Sequence, residues 1–194
     1  IEFVVRGYMY GSLYERVKKG EINVPFKPVF AGELSNPFFD PTTKSETKDV
    51  PIKSDEIVKK GILSKNELES LIDLSVKLYM KIKKKAAGVG FIIADLKLEF
   101  ARDLDGRILL ADSIGPDEFR LWPAKDYQPG KIQQSFDKQL VRDWLIDVGY
   151  KEDLDEARKK GEPVPKPPLL PEGLVSEVTH RYIEAFEALA GRNL

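Results

Sequence analysis

The feature that most constrains the fold is the alternation between Phe91 and Asp112. Apolar Ile92, Ala94, Leu96, Leu98 and Phe100 interleave with Asp95, Lys97 and Glu99. Because strand side chains alternate faces with period two, this predicts a strand with one apolar and one charged face. Asp105-Gly106 adds a strong two-residue turn signal, since a type I′ turn needs positive φ at both central positions, and the stretch reads as a β-hairpin. With Asp105 and Gly106 as the loop, Leu104 pairs with Arg107, and counting outward sets Glu99 opposite Asp112. Two facing carboxylates destabilise a sheet. A divalent cation reverses that sign, because Mg²⁺ takes one or two carboxylates and completes its shell with water and phosphates. Lys97, on the same face, is placed to meet a phosphate. Pattern alone favours a plainer reading, a solvated face with scattered charges. A three-residue loop would also shift the register by one and remove the opposition.

With 194 residues the chain can bury one sizeable core without a metal or disulfide to hold it. Its 31 Lys and Arg against 32 Asp and Glu give no global excess of charge, so neither a nucleic-acid nor a membrane-surface partner is expected and any anion site must be local. The lack of Cys excludes disulfides, thiolate nucleophiles and Cys-based zinc sites, and is compatible with a reducing cytosol. The single His, His180, argues against a His-ligated metal cluster. No apolar run approaches the roughly 18 residues of a spanning helix and no signal peptide is visible, so a cytoplasmic location is expected. Ile1-Glu2-Phe3-Val4-Val5 opens in mid-pattern without an initiator Met, which raises the expectation of a piece of a longer protein.

Along the chain, Ile1 to Val5 reads as a strand running into Arg6-Gly7-Tyr8-Met9-Tyr10-Gly11-Ser12. There the glycines permit a turn or close approach, and Arg6 and Ser12 could serve a phosphate or carboxylate. Leu13 to Lys19 fits a short helix. Glu21 to Asp49, with four Pro and no sustained period, reads as a long irregular loop. Ser54 to Gly61 is a short helix, and Ser64 to Gly88 a long one opened by a Ser64/Glu67 capping box, its terminal Lys81-Ile82-Lys83-Lys84-Lys85 run a solvated end. Ser113 to Trp122 is turn-rich. Asp137 to Val148 predicts a helix with Leu140, Val141, Trp144, Leu145 and Val148 inward; its Lys138 and Arg142 are a like-charged i, i+4 pair that favours an intervening anion, or is neutralised locally by Asp137 and Asp143. Lys151 to Lys160 is a charged helix, Gly161 to Pro171 a stiff connector with five Pro, and Leu174 to Ala190 a last helix with Val175, Val178, Tyr182, Phe186 and Leu189 on one stripe and His180 off it.

Anion-competent groups thus come from separate elements, beside a candidate Mg²⁺ pair, which suggests phosphate chemistry. The chain also resembles the phosphoribosylaminoimidazole-succinocarboxamide synthase (SAICAR synthetase) family. The resemblance rests on Val4-Val5-Arg6-Gly7 with Gly11-Ser12, Pro41-Thr42-Thr43-Lys44-Ser45-Glu46, Asp95-Leu96-Lys97-Leu98-Glu99-Phe100, Asp112 with Pro116-Asp117 and Arg120-Leu121-Trp122, and Asp137-Lys138-Gln139 with Arg142-Asp143-Trp144-Leu145. It covers nearly the whole chain in order. It implies an α+β fold, an antiparallel sheet with packed helices, forming the C-terminal portion of an ATP-grasp-like ligase. Residues 1–194 would then be a single core domain with C-terminal helices from about 137. The implied reaction joins L-aspartate to carboxyaminoimidazole ribotide in purine biosynthesis, with ATP and Mg²⁺, through a phosphorylated carboxylate. By motif, Glu99 and Asp112 resemble the metal carboxylates, and Asp95 with Lys97 the phosphate-transfer centre. Arg6, Ser12, Arg120, Lys138 and Arg142 resemble the ribotide contacts, and Asp49 a residue that orients nucleotide or aspartate.

Two departures accompany the resemblance. Lys48 stands where the family commonly has His, and the β-rich lobe that in the family precedes Val-Val-Arg-Gly and covers ATP has no counterpart here. The expectation is therefore that these residues alone bind ATP poorly and that the native protein is longer. Two other readings compete: a kinase-like phosphotransferase of the inositol-polyphosphate-kinase kind, against which the Arg-Gly and Asp-Lys-Gln motifs argue, and a non-catalytic nucleotide-binding module.

Overall fold

The computed structural model describes residues 1–44 and 49–194, and the chain divides into two units, Ile1–Gln134 and Ser135–Leu194. Ser45, Glu46 and Lys48, which carry part of the Thr-Lys motif and the His-to-Lys departure, lie outside the described residues.

The first unit is built on a four-stranded antiparallel sheet. It comprises β1 (Phe3–Tyr8), β2 (Glu33–Phe39), β3 (Phe91–Leu98) and β6 (Phe119–Pro123), in the order β2-β1-β3-β6. β1 and β3 pair with Val4 opposite Lys97 and Arg6 opposite Asp95. Alternation then sends Phe3, Val5, Leu96 and Leu98 to the other face, where all four are buried. Helix α3 (Lys65–Ala87) packs against β1 and β3. It starts at the Ser64/Glu67 capping box, and it buries Leu68, Leu71, Ser75 and Tyr79. Tyr79 donates its hydroxyl to the Ile93 carbonyl at 3.0 Å. A Cβ at Gly7 would fall 1.7 Å from the Tyr79 Oη, so the strand lies against the helix only because residue 7 has no side chain. The end of α3 is less solvated than its lysines suggest. Lys83 bonds Glu33 at 2.6 Å and lies 5.5 Å over the Tyr8 ring.

Three predicted elements change. The stretch from Phe91 to Asp112 is not one hairpin: β3 is an inner strand between β1 and β6, and only β4 (Phe100–Arg102) and β5 (Ile108–Leu110) form a two-stranded sheet. Phe100 pairs with Leu110 and Arg102 with Ile108, one residue out of the two-residue-loop register. The loop has three residues because Asp103 ties it off: its carboxylate accepts the Asp105 and Arg107 amides, its own amide donates to the Arg107 carbonyl, and Gly106 takes φ +81°. A left-handed residue closing a three-residue hairpin loop is a common solution. Glu99 is therefore not opposite Asp112; its carbonyl accepts the Ala111 amide.

The second change is β2, inside the segment expected to be an irregular loop. Pro37 lacks an amide hydrogen and reads as a breaker, but β2 is an edge strand, where proline is tolerated. Residues 34–37 bulge against β1 between the pairs Arg6–Phe38 and Tyr8–Glu33. The third is β6, on the opposite edge, which occupies the second half of the turn-rich segment and ends in Pro123. Two short helices, α1 (Gly11–Lys18) and α2 (Ser54–Lys59), fall where the sequence places them.

The second unit holds α4 (Gln139–Asp147), α5 (Tyr150–Lys160) and α6 (Glu172–Ala190). Buried Asp137 accepts the Ser135 hydroxyl at 2.5 Å and the Gln139 amide at 2.8 Å at the start of α4. Arg181 of α6 reaches back to the Ser135 carbonyl at 2.6 Å. Val148 and Val175, expected to point inward, are exposed. Among the described residues no helix is long and apolar enough to cross a membrane.

Candidate functional site

On the face of the sheet opposite Val5 and Leu96, two side chains of β3 anchor two different charge clusters. Asp95 stands beside Arg6 of β1 by register, and the Arg6 Nη1 donates to Asp95 Oδ2 at 3.1 Å. The same oxygen accepts from Arg120 of β6. Arg6 Nη2 donates to the hydroxyl of Ser12, near the start of α1, at 2.9 Å, and its Nε donates to Asp40 at 2.6 Å. Arg16, one turn along α1 from Ser12, reaches both Asp40 oxygens at 2.5 Å. Arg6, Asp40 and Asp95 are buried, whereas Ser12 is exposed. Among the described residues the guanidinium groups of Arg6, Arg16 and Arg120 gather on Asp40 and Asp95, with exposed Ser12 at their side. Unlike the global balance of the chain, this local gathering of planar cationic donors favours an anion.

The backbone is shaped around this cluster. Gly11 takes φ +58°, and a Cβ there would lie 2.9 Å from the Arg120 Nη2. Glycine thus answers both a left-handed turn and the close passage of a guanidinium. Arg120 also lies 5.5 Å over the Tyr10 ring. A cleft of about 620 Å³, bordered by Arg16, Asp40, Ile52 and Lys53, opens beside the cluster.

Two residues along β3, Lys97 gathers the opposite charge. Its Nζ lies 2.8 Å from Glu118, 3.1 Å from Glu2, 3.5 Å from Glu99 and 3.7 Å from Asp112. Lys44 adds a second cation, 2.5 Å from Glu99. Among the described residues, four carboxylates thus face two ammonium groups. Burial works to lower the Lys97 pKa, but the hydrogen bonds with Glu118 and Glu2 more than offset it and hold the ammonium above lysine's ordinary value. Glu99 and Asp112, expected from the sequence to face each other across a two-residue turn, are not paired across strands, yet both lie near Lys97. As hard oxygen donors in a cluster rich in carboxylates they suit Mg²⁺ completed by water and phosphate oxygens. Among the described residues no group of three or more His, Cys, Asp or Glu is arranged to hold a metal by itself.

Of the residues singled out in the sequence, Arg6, Ser12, Asp95 and Arg120 therefore share one cluster, and Lys97, Glu99 and Asp112 the neighbouring one. Asp49 is exposed on the irregular segment before Val50. Lys138 and Arg142 belong to the second unit, where the Arg142 amide donates to the Lys138 carbonyl at the start of α4. His180 is exposed beside Glu184, as expected off the stripe. Sequence reasoning missed Arg16, Asp40, Glu2 and Glu118. Parity was a usable signal for two of them, since Glu2, just before β1, has the parity of Arg6, and Glu118, just before β6, precedes Arg120 by two. Arg16 lies four residues after Ser12 and shares its helix face. Asp40 gave no local signal, because its strand was hidden.

The model of the SAICAR synthetase family matches residues 1–157. A phosphoribosylaminoimidazole-succinocarboxamide synthase of Nitrosopumilus maritimus is 48% identical over 196 residues, covering 100% of this chain and 70% of that protein. One of Corynebacterium diphtheriae is 39% identical, covering 98% of this chain and 64% of that protein. Among solved structures, SAICAR synthase from Saccharomyces cerevisiae complexed with SAICAR superposes with a TM-score of 0.78 at 33% identity, over 100% of this chain and 60% of that one. A SAICAR synthetase in complex with ADP gives 0.68 at 27% identity, over 100% and 64%. The chain spans between about three fifths and seven tenths of the length of these relatives.

Proposed function

Because the chain belongs to the SAICAR synthetase family, we propose that it carries the ribotide- and phosphate-handling part of an enzyme that ligates L-aspartate to carboxyaminoimidazole ribotide at the expense of ATP. The observation that supports this reading is the reversal along β3: Asp95 gathers the guanidinium groups of Arg6 and Arg120, and Lys97, two residues on, gathers carboxylates of Glu2, Glu99, Asp112 and Glu118. Such a pair of neighbours suits a ligand with a phosphate at one end and a reaction that moves a phosphoryl group at the other.

A carboxylate is a poor acyl donor because its leaving group would be oxide. In the proposed course, a carboxylate oxygen of the ribotide attacks the γ-phosphorus of ATP and ADP leaves. The aspartate amine then attacks the acyl carbon, loses a proton, and phosphate departs as the amide bond forms. Little covalent chemistry falls to the protein, so catalysis is positioning and charge neutralisation. Arg6, Ser12 and Arg120 hold the ribotide 5′-phosphate, where planar guanidinium donors and a hydroxyl match phosphate oxygens. Lys97 brings a positive charge to the transferring phosphoryl oxygens, and Asp95 keeps Arg6 and Arg120 in place. Glu99 and Asp112 would hold Mg²⁺, whose charge neutralises the phosphate oxygens. Asp49, Lys138 and Arg142 enter this reading through their motifs alone.

The test is ADP release by the protein carrying this chain, with each substrate omitted in turn and the product identified by mass. Release that requires both the ribotide and aspartate, with formation of the succinocarboxamide, is expected. Phosphate transfer to an alcohol without aspartate dependence, or nucleotide binding without turnover, would overturn the reading.

A further inference from the structure

We propose that Asp40 is a positioning residue for the ribotide phosphate, acting through Arg6 and itself held by Arg16; this rests on the reading of Arg6 and Ser12 as phosphate contacts. A guanidinium carries five N–H donors in one rigid plane. In Arg6 three of them are spent: Nε on Asp40, one Nη1 hydrogen on Asp95 and one Nη2 hydrogen on Ser12. Three anchors fix both the direction and the tilt of the plane, and one N–H remains on each terminal nitrogen for a ligand. Asp40 takes the Nε edge, which turns the Nη edge toward Ser12 and leaves it for a phosphate. Asp95 cannot do this alone, because its contacting oxygen is shared with Arg120.

Asp40 is held just as firmly. Arg16 Nη2 spans both of its oxygens at 2.5 Å, and Arg16 Nε donates to the Ser12 carbonyl at 3.3 Å. The contacts close a ring, Asp40 to Arg6 to Ser12 to Arg16 and back to Asp40. The ring fixes the spacing between the Arg6 donors and the backbone that carries the Ser12 hydroxyl. Asp40 is an anion whose two oxygens are taken by Arg6 and Arg16, so it orients the phosphate's partners without touching the phosphate. Holding donors in place before the ligand arrives raises affinity by removing an ordering cost from the binding step.

The experiment uses the protein carrying this chain and two readouts: calorimetric binding of ribose 5-phosphate, and KM and kcat of ligation. Asp40→Asn is expected to weaken ribose 5-phosphate binding about tenfold and raise the ribotide KM by a like factor, with the ATP KM and kcat within about twofold. Asp40→Glu, which restores the charge, is expected to recover most of both. A folded Asp40→Asn protein with unchanged ribose 5-phosphate affinity overturns the proposal, as does a parallel change in all three kinetic constants, the pattern of general loosening. Should Asp40→Asn not fold, Arg16→Lys replaces the two-oxygen contact by a point charge; binding about threefold weaker supports the proposal, and unchanged binding overturns it. A wild-type protein that does not bind ribose 5-phosphate also overturns it. Binding that depends on Asp40 in a protein without ligase activity would sink the proposed reaction and leave this inference standing; ligation that ignores Asp40→Asn would do the reverse.

Discussion

Gly11 lies directly against the guanidinium of Arg120, so close that a Cβ at residue 11 would sit 2.9 Å from Nη2. The main chain of α1's first residue and the tip of a β6 side chain thus occupy adjoining space with nothing between them. Gly11→Ala would meet two penalties there. At φ +58° an alanine is strained by about 1 kcal/mol, and Arg120, being the movable partner, shifts away from Asp95. The expected result is a small loss of stability in thermal unfolding and a rise of about tenfold in ribotide KM. An unchanged KM in the folded variant would show that Arg120 has no part in holding the ribotide.

Gly7 faces a harder obstacle. Tyr79 is fully buried and hydrogen-bonded to the Ile93 carbonyl, so it cannot swing aside for a methyl group 1.7 Å from its oxygen. Gly7→Ala should cost about 3 kcal/mol, at the upper end for overpacking a core. Adding Tyr79→Phe removes the oxygen but leaves a ring carbon 2.7 Å from the new Cβ, so it should recover part of that loss and not all of it. Denaturant unfolding of the two single variants and the double variant measures the coupling; strict additivity would mean that the two side chains do not collide.

Lys97 has a predictable pH signature. Its pKa lies above the ordinary 10.5 in the folded protein, so between the unfolded and folded values the native state binds more protons than the unfolded chain. The contribution to stability is therefore complete below that ordinary value of 10.5 and is lost as pH rises through the folded value. Comparing wild type with Lys97→Met from pH 7 to 11, the stability difference should stay constant to about pH 10 and shrink beyond it. A difference that already declines between pH 7 and 9 would contradict this.

Glu99 and Asp112 are expected to set the demand for divalent cation. Glu99→Gln and Asp112→Asn should each raise the Mg²⁺ concentration needed for half-maximal ligation by about tenfold, with partial recovery of rate at high Mg²⁺. Both carboxylates contact Lys97 at 3.5 Å or more, and Lys44, the close partner of Glu99, is exposed, so neither change should unfold the protein. An Mg²⁺ dependence identical to wild type would remove these two residues from the metal site.

What the sequence made legible, and what it did not, divides by the range of the interaction. Ser64 and Glu67, three residues apart, announce the start of α3, and the alternation of Asp95, Leu96 and Lys97 places charge and apolar bulk on opposite faces; both are local rules. The partner of β3 is not local. Nothing near residue 95 says that Arg6 stands beside it, and a strong Asp-Gly turn signal suggested a neighbour within the same hairpin instead. The register error had a small cause, one carboxylate at Asp103 that closes a three-residue loop. Asp40 was invisible for a related reason. Asn36-Pro37 breaks the strand pattern, and only the position of β2 at the sheet edge makes that break harmless. Parity, by contrast, could have recruited Glu2 and Glu118 once their strands were assigned.

The prolines at the two outer strands have a consequence beyond tolerance. An open sheet offers unpaired amides and carbonyls along each margin, onto which a second chain can add. In β2 that margin is interrupted by Pro37 and distorted by the bulge at 34–37, and β6 ends in Pro123. Lateral polymerisation needs an unbroken row of donors, and neither margin offers one over its full length. A sheet that must keep charged clusters ordered on one face thereby also resists recruiting its own copies at high concentration.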